Sequence, residues 1–243
     1  MFPALDVRDR VLELFAAADS AHDMSHLDRV AGLTRTLVGA EGGDLELALL
    51  SVYLHDCHRI IERLEHKEHV SIAEAWEMTV QLLSELNVPA RDWDRVRRII
   101  DQTSAYSFGQ GLPPDWSIEA AIVHDADNLD AIGAVGIARA FAYGGGLGEP
   151  LWQPQALPSD HYSPGKTSSV LAHFYEKLFR LESDMLTATG KALAQQRTLV
   201  MRAFVGDFID EWEQALPEAG ARIAEWRKRL PDRPTRPWSG IDD

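Results

Sequence analysis

The chain has 243 residues, 45% of them hydrophobic, with 24 Lys and Arg against 38 Asp and Glu, a formal charge of −14. That length and apolar content are enough for a sizeable core and exclude a wholly disordered chain. The acidic balance opposes a nucleic-acid duplex or an anionic membrane as partner, but leaves room for a small anionic substrate held by a local positive charge such as a divalent metal supplies. The single cysteine, Cys57, permits no intrachain disulfide, and the first residues lack a charged segment followed by an apolar run. No apolar stretch approaches the ~20 residues of a membrane span. A cytoplasmic protein is expected.

Apolar residues recur at i, i+3, i+4 and i+7 through nearly every long segment, so the expected fold class is all-α. In chain order the predicted helices cover residues 6–18, 26–38, 45–61, 71–86, 90–102, 118–143, 168–181, 189–216 and 218–230. Asp44 is placed to cap the third, Pro89 suits a first turn, and Pro231, Pro234 and Pro237 close the last. Between them lies a Gly/Pro-rich stretch, residues 144–166, with Gly144-Gly145-Gly146, Pro150, Pro154, Pro158 and Pro164. Because the segments on either side are alike in composition, it reads as a loop or lid near the active site rather than an interdomain linker. One compact domain over residues 1–230 is expected, followed by a polar, Pro-containing tail at 231–243.

Three segments carry chemistry. In the run from Asp44 to Asp56, residues Leu45, Ala48, Leu49, Val52 and Tyr53 form an inward stripe that continues onto Asp56, with His55 beside it. A buried carboxylate is costly unless paired, hydrogen-bonded or bound to a metal. An isolated His-Asp pair would read as a helix end reaching solvent, but His26 also points inward, in register with Val30, Leu33 and Leu37. In His124-Asp125-Ala126-Asp127-Asn128-Leu129-Asp130, three carboxylates fall within two turns of an apolar helix, a crowding that a cation would relieve. A macrodipole-stabilised helix start is the alternative, and it suits Asp125 better than Asp127.

These residues resemble the HD-domain metal-dependent phosphohydrolases, whose pattern is a His, a later His-Asp pair, and an Asp in an Ala-Asp-x-Leu context. Here that is His26, His55-Asp56 and Ala126-Asp127-Asn128-Leu129. The chain resembles one bacterial branch more closely, and that resemblance implies hydrolysis of nucleotide phosphates, above all of dNTPs to monophosphate and pyrophosphate. That branch shares Asp125-Ala126-Asp127-Asn128-Leu129-Asp130-Ala131-Ile132-Gly133, and later Lys166-Thr167 with His173-Phe174-Tyr175-Glu176-Lys177-Leu178. The resemblance implies one divalent metal on His26, His55, Asp56 and Asp127, with Lys166, His173 and Lys177 facing substrate phosphates.

Two imidazoles and two carboxylates without thiolate suit Mn²⁺, Fe²⁺, Co²⁺, Ni²⁺ or Mg²⁺, leaving positions for water. Asp130, Asp125 and His124 are candidates for proton transfer or support, and Arg29 and Arg59 are weaker phosphate candidates. Some relatives hold a second metal on histidines placed like His66 or His69, which would suit dinucleoside polyphosphates or nucleoside monophosphates; the bland alternative there is an exposed polar loop. A silent nucleotide-binding signalling module is the competing class. A P-loop at Gly165-Lys166-Thr167 is rejected, because Asp160 stands where that motif needs glycine. Cys57 reads as a small buried residue rather than a nucleophile. The oligomeric state is open, and a homodimer is compatible with the sequence.

Overall fold

A computed structural model describes residues 4–15, 24–64, 70–103, 115–160, 162, 167–216 and 220–230. Among them there is no strand, so the all-α expectation holds. They cluster into two compact units where the sequence predicts one domain: the residues up to Asp130 with Met185–Gly190, and those of Ala131–Asp184 with the chain from Lys191 onward.

The first unit holds α1 (Ala4–Phe15), α2 (Met24–Glu41), α3 (Leu45–Leu54), α4 (Cys57–Leu64), α5 (Ile72–Glu85), α6 (Ala90–Thr103) and α7 (Ile118–Asp130). Its axle is α3, which packs against α1, α2, α6 and α7. Every residue from Leu47 to Leu54 is buried, because Leu-Ala-Leu-Leu-Ser-Val-Tyr-Leu offers an apolar surface on all sides. The predicted stripe was therefore too narrow, and its first member, Leu45, is 37% exposed. The two hydroxyls of α3 are satisfied and so cost little, Ser51 donating to the Leu47 carbonyl at 2.9 Å and Tyr53 to Asp28 Oδ1 at 3.3 Å. Asp44 caps α3 as expected, its carboxylate accepting from the Leu47 N–H at 3.2 Å. Leu27, Val30, Ala31 and Leu37 of α2 are buried, as are Ala120, Ile122, Val123, Ala126 and Leu129 of α7, and the two helices pack together. Each buried Leu, Ile or Val contributes roughly 1.5–3 kcal/mol.

Three predicted helices are interrupted: the one over 168–181 by a 3₁₀ turn, and two others by breaks that matter more. The helix expected over 45–61 stops at Leu54 and restarts at Cys57, leaving His55 and Asp56 in a turn. The helix expected over 118–143 stops at Asp130 and restarts at Gly133, whose φ of 79° a residue with a Cβ adopts only under strain.

The second unit holds α8 (Gly133–Gly146), α9 (Val170–Glu176), a 3₁₀ turn (Leu178–Arg180), α10 (Leu181–Asp184), α11 (Ala188–Ala215, whose first three residues belong to the first unit) and α12 (Gly220–Arg229). Gly144-Gly145-Gly146, expected to break regular structure, instead finishes α8. Gly144 lies so close to Val170 that a Cβ there would clash, so packing selects this glycine. The stop comes two residues later at Gly148, with φ 69°.

The described part of the Gly/Pro-rich stretch is held by hydrogen bonds and aromatic packing. Pro150 and Leu151 carbonyls accept from Val170 and Leu171 N–H groups at 3.0 and 3.1 Å. Glu149 accepts from the Thr167 N–H at 2.7 Å, buried Glu176 from the Ser159 N–H at 2.8 Å, and the Trp226 indole donates to the Pro154 carbonyl at 3.0 Å. Trp152 is buried against Phe208, Trp212 and Trp226. No helix among the described residues is long and apolar enough to cross a membrane.

Candidate metal centre

All four expected ligands meet inside the first unit. His26 sits in the first turn of α2, on the face that buries Leu27 and Val30. His55 is the C-cap residue of α3, Asp56 follows it in the turn, and Asp127 projects from the last turns of α7. Ligand atoms of His26, His55 and Asp56 lie within 4.8 Å of one another. Asp127 Oδ1 is 3.4 Å from His26 Nε2 and 3.7 Å from His55 Nε2. Asp56 reaches the same nitrogens at 3.7 and 3.6 Å. Two neighbouring donors on one ion at about 2.1 Å stand about 3.0–3.4 Å apart, so the four side chains lie within a few tenths of an ångström of the spacing of a shared coordination shell.

The ring orientations are set from behind. His26 Nδ1 donates to Asp130 Oδ2 at 2.8 Å and His55 Nδ1 to the Val52 carbonyl at 2.7 Å. With Nδ1 carrying the proton in both rings, each Nε2 lone pair faces the cluster, the tautomer a metal requires. The His55 bond also satisfies a carbonyl that the end of α3 leaves without an intrahelical partner. The helix break thus supplies both the ligand and its orientation.

The electrostatics ask for positive charge. Burial works against a charged His55 ring, but Asp56 and Asp127 outweigh it and push its pKa up to about 10. His26 is likewise raised, burial being outweighed by Asp127, Asp130 and Asp56. Burial would raise Asp127, yet the two histidines hold it well below the usual carboxylate range. A divalent cation replaces such protons and satisfies the same carboxylates, so the donor set fits a metal of the Mn²⁺, Fe²⁺, Co²⁺, Ni²⁺ or Mg²⁺ kind. Side-chain exposure is 3% for His26, 6% for His55 and 10% for Asp56 but 22% for Asp127, so the cluster opens to solvent beside Asp127.

The supporting candidates separate. Asp130, three residues after Asp127 and thus on its face, reaches His26. Asp125, expected as a catalytic group, is engaged elsewhere. Two positions before Asp127 it lies about 200° around the helix, and its carboxylate accepts from the N–H groups of Leu186 and Thr187 at 2.9 and 2.8 Å and from the Thr187 hydroxyl at 2.7 Å. His124 is fully buried, bonded to Asp125 and Asn128, with Trp116 edge-on at 5.1 Å. Arg29, read from sequence as a phosphate candidate, donates to both oxygens of Asp130. Its place three residues after His26 is a signal that could have been read. Arg59 pairs with Glu62 at 2.9 Å. Cys57 is buried, and burial pushes its thiol up to about 12, in keeping with a structural residue.

In the second unit, His173 and Lys177 both border Tyr162, the imidazole 6.0 Å from its ring and the Lys177 ammonium 5.3 Å over it. Burial, aided by the Lys177 charge, lowers His173 to about 4, so it is neutral near pH 7. Lys166, His66 and His69 lie outside the described residues.

The HD domain family pattern matches residues 24–132, which contain all four cluster residues. YpgQ of Bacillus subtilis is 35% identical over 221 residues, 91% of this chain and 97% of that protein. Its crystal structure in complex with ADP superposes with a TM-score of 0.63 at 32% identity, covering 88% of this chain and 95% of the other. A Lactobacillus plantarum protein reaches a TM-score of 0.74 at 37% identity over 88% of this chain and 100% of its own. An HD-superfamily hydrolase from Bacillus thuringiensis reaches 0.65 at 32% identity, covering 86% and 96%.

Proposed function

The chain belongs to the HD-domain family, and from that premise we propose that it hydrolyses a nucleoside triphosphate, with dNTP or NTP cleaved to monophosphate and pyrophosphate by water. The observation that carries the reading is the cluster itself: two buried imidazoles whose Nδ1 protons are held from behind, Asp56 within ligand range of both, and Asp127 within 3.7 Å of both Nε2 atoms. His26, His55, Asp56 and Asp127 would hold the cation. When bound, it supplies Lewis acidity, acidifying water and drawing electron density from a phosphoryl oxygen.

The chain's own groups do the rest. Asp130 and the Val52 carbonyl keep the ring protons on the far nitrogens, so neither imidazole turns away. Asp127 is the most exposed of the four, and substrate and water would enter beside it. Lys177 and Lys166 supply cationic contacts for phosphate oxygens. His173, uncharged, supplies a hydrogen bond rather than a charge. Water adds to the α-phosphorus and pyrophosphate leaves, without a covalent enzyme intermediate. That a relative is solved with ADP supports a nucleotide as the ligand class.

A panel of ribo- and deoxyribonucleotides assayed with Mn²⁺, Co²⁺, Ni²⁺ and Mg²⁺, with products resolved by chromatography, tests the reading. Equal release of pyrophosphate and monophosphate is expected. Stepwise loss of inorganic phosphate, or no turnover with any of the four metals, would reject it.

A further inference from the structure

The two helices that supply His26 and Asp127 support each other in a cross-braced pattern. On α2, His26 is followed three residues later by Arg29; on α7, Asp127 is followed three residues later by Asp130. Asp130 accepts from both α2 residues: from His26 Nδ1 at 2.8 Å, from Arg29 Nε at 2.7 Å and from Arg29 Nη2 at 3.0 Å. The guanidinium is itself steadied by Arg29 Nη1 donating to the Ser25 hydroxyl at 2.8 Å.

The Asp130 side chain is only 2% exposed, whereas that of Arg29 is 35% exposed and lies at the rim. A buried carboxylate with a single imidazole for a partner could rotate about its last torsion, draw a proton, or swing in as a competing ligand. A planar guanidinium with one N–H on each oxygen opposes all three, since it fixes the carboxylate plane and balances its charge.

Building on the metal-centre reading, we propose that Arg29 is a positioning residue of this centre. It locks Asp130 as a fixed acceptor for His26 and thereby sets the affinity for the cation. Asp130 then acts by holding His26, not by carrying protons to or from substrate. The three-residue link, Arg29 to Asp130 to His26, lies inside one compact unit and needs no contribution from the second.

The test is a double-mutant cycle on Mn²⁺ affinity of the full chain, measured by calorimetry without nucleotide. Arg29→Ala should weaken Mn²⁺ binding by about 10–100-fold, the range for removing such a supporting group. Arg29→Lys, which keeps the charge but loses the fork, should fall between the two. Asp130→Asn removes the charge that Arg29 balances while keeping an acceptor for His26. Adding Arg29→Ala to Asp130→Asn should therefore weaken binding little further. Turnover lost in Arg29→Ala at low Mn²⁺ should rise again as Mn²⁺ is raised. An Arg29→Ala affinity within twofold of wild type overturns the inference alone, as do effects that simply multiply in the double variant. Wild-type Mn²⁺ affinity with lost turnover would instead make Arg29 a substrate contact. A wild-type chain that binds none of the four metals overturns the metal reading and this inference together, whereas the Arg29 variants alone discriminate when wild type binds.

Discussion

Replacing Asp125 with Ala separates the fold from the metal centre. Its carboxylate is fully buried and, besides its bond with His124, accepts from the N–H groups of Leu186 and Thr187 and the Thr187 hydroxyl, these three at 2.9 Å or less. Gly190 packs so closely that a Cβ there would strike this carboxylate, so the segment has folded around it. A hydrogen bond to a charged group contributes about 1.5–3 kcal/mol, but the three share one acceptor and do not add in full. Removing the acceptor costs about 1–3 kcal/mol for each donor left unsatisfied, against a total stability of about 5–15 kcal/mol. Urea unfolding followed by circular dichroism should show a loss of that size, while the folded fraction keeps wild-type Mn²⁺ affinity. A loss under about 1 kcal/mol, or Mn²⁺ binding abolished with stability intact, would refute the assignment and return Asp125 to the centre.

Asp127→Ala should abolish Mn²⁺ retention and turnover while leaving helical content near wild type; elemental analysis after gel filtration reads the first. Lys177→Ala and Lys166→Ala should leave metal content unchanged and lower kcat/KM for nucleoside triphosphates by about one to two orders of magnitude, the equivalent of a charge-assisted hydrogen bond of roughly 1.5–3 kcal/mol, with little effect on a small phosphate ester. Equal loss on both substrates would make the lysines structural. His173 has a folded pKa of about 4 against an ordinary 6.5, so the folded state resists its protonation. Its contribution to stability is fully present above pH 6.5 and falls between pH 6.5 and 4, by at most about 3–4 kcal/mol. His173→Gln should flatten that part of the stability–pH curve, and a curve parallel to wild type would contradict the half-buried neutral imidazole.

Much of the site was legible because its residues obey helical spacing. His26 shares a face with Val30 and Leu37, and Asp127 with Asp130, so period alone aims them inward. The same arithmetic, carried two positions back, excludes Asp125 from that face. What periodicity could not give was the break at His55-Asp56. The apolar run continues through Leu54 into Ile60 and Ile61, so the pattern reads as one helix, and only the bond from His55 Nδ1 back to the Val52 carbonyl marks the end. The break at Asp130 was similarly masked by Ala131-Ile132, although Gly133 carried a signal. Gly144-Gly145-Gly146 misled in the other direction, since close approach of Val170 outweighs glycine's poor helix propensity.

The central claim is that nucleotide hydrolysis depends on one divalent cation held by His26, His55, Asp56 and Asp127. Titrating metal-stripped protein with Mn²⁺ while following pyrophosphate release from a dNTP tests it most directly. The prediction is turnover that saturates at one ion per chain in wild type and is absent at every Mn²⁺ level in Asp56→Ala. Turnover in the stripped protein, or full activity in Asp56→Ala, would contradict it.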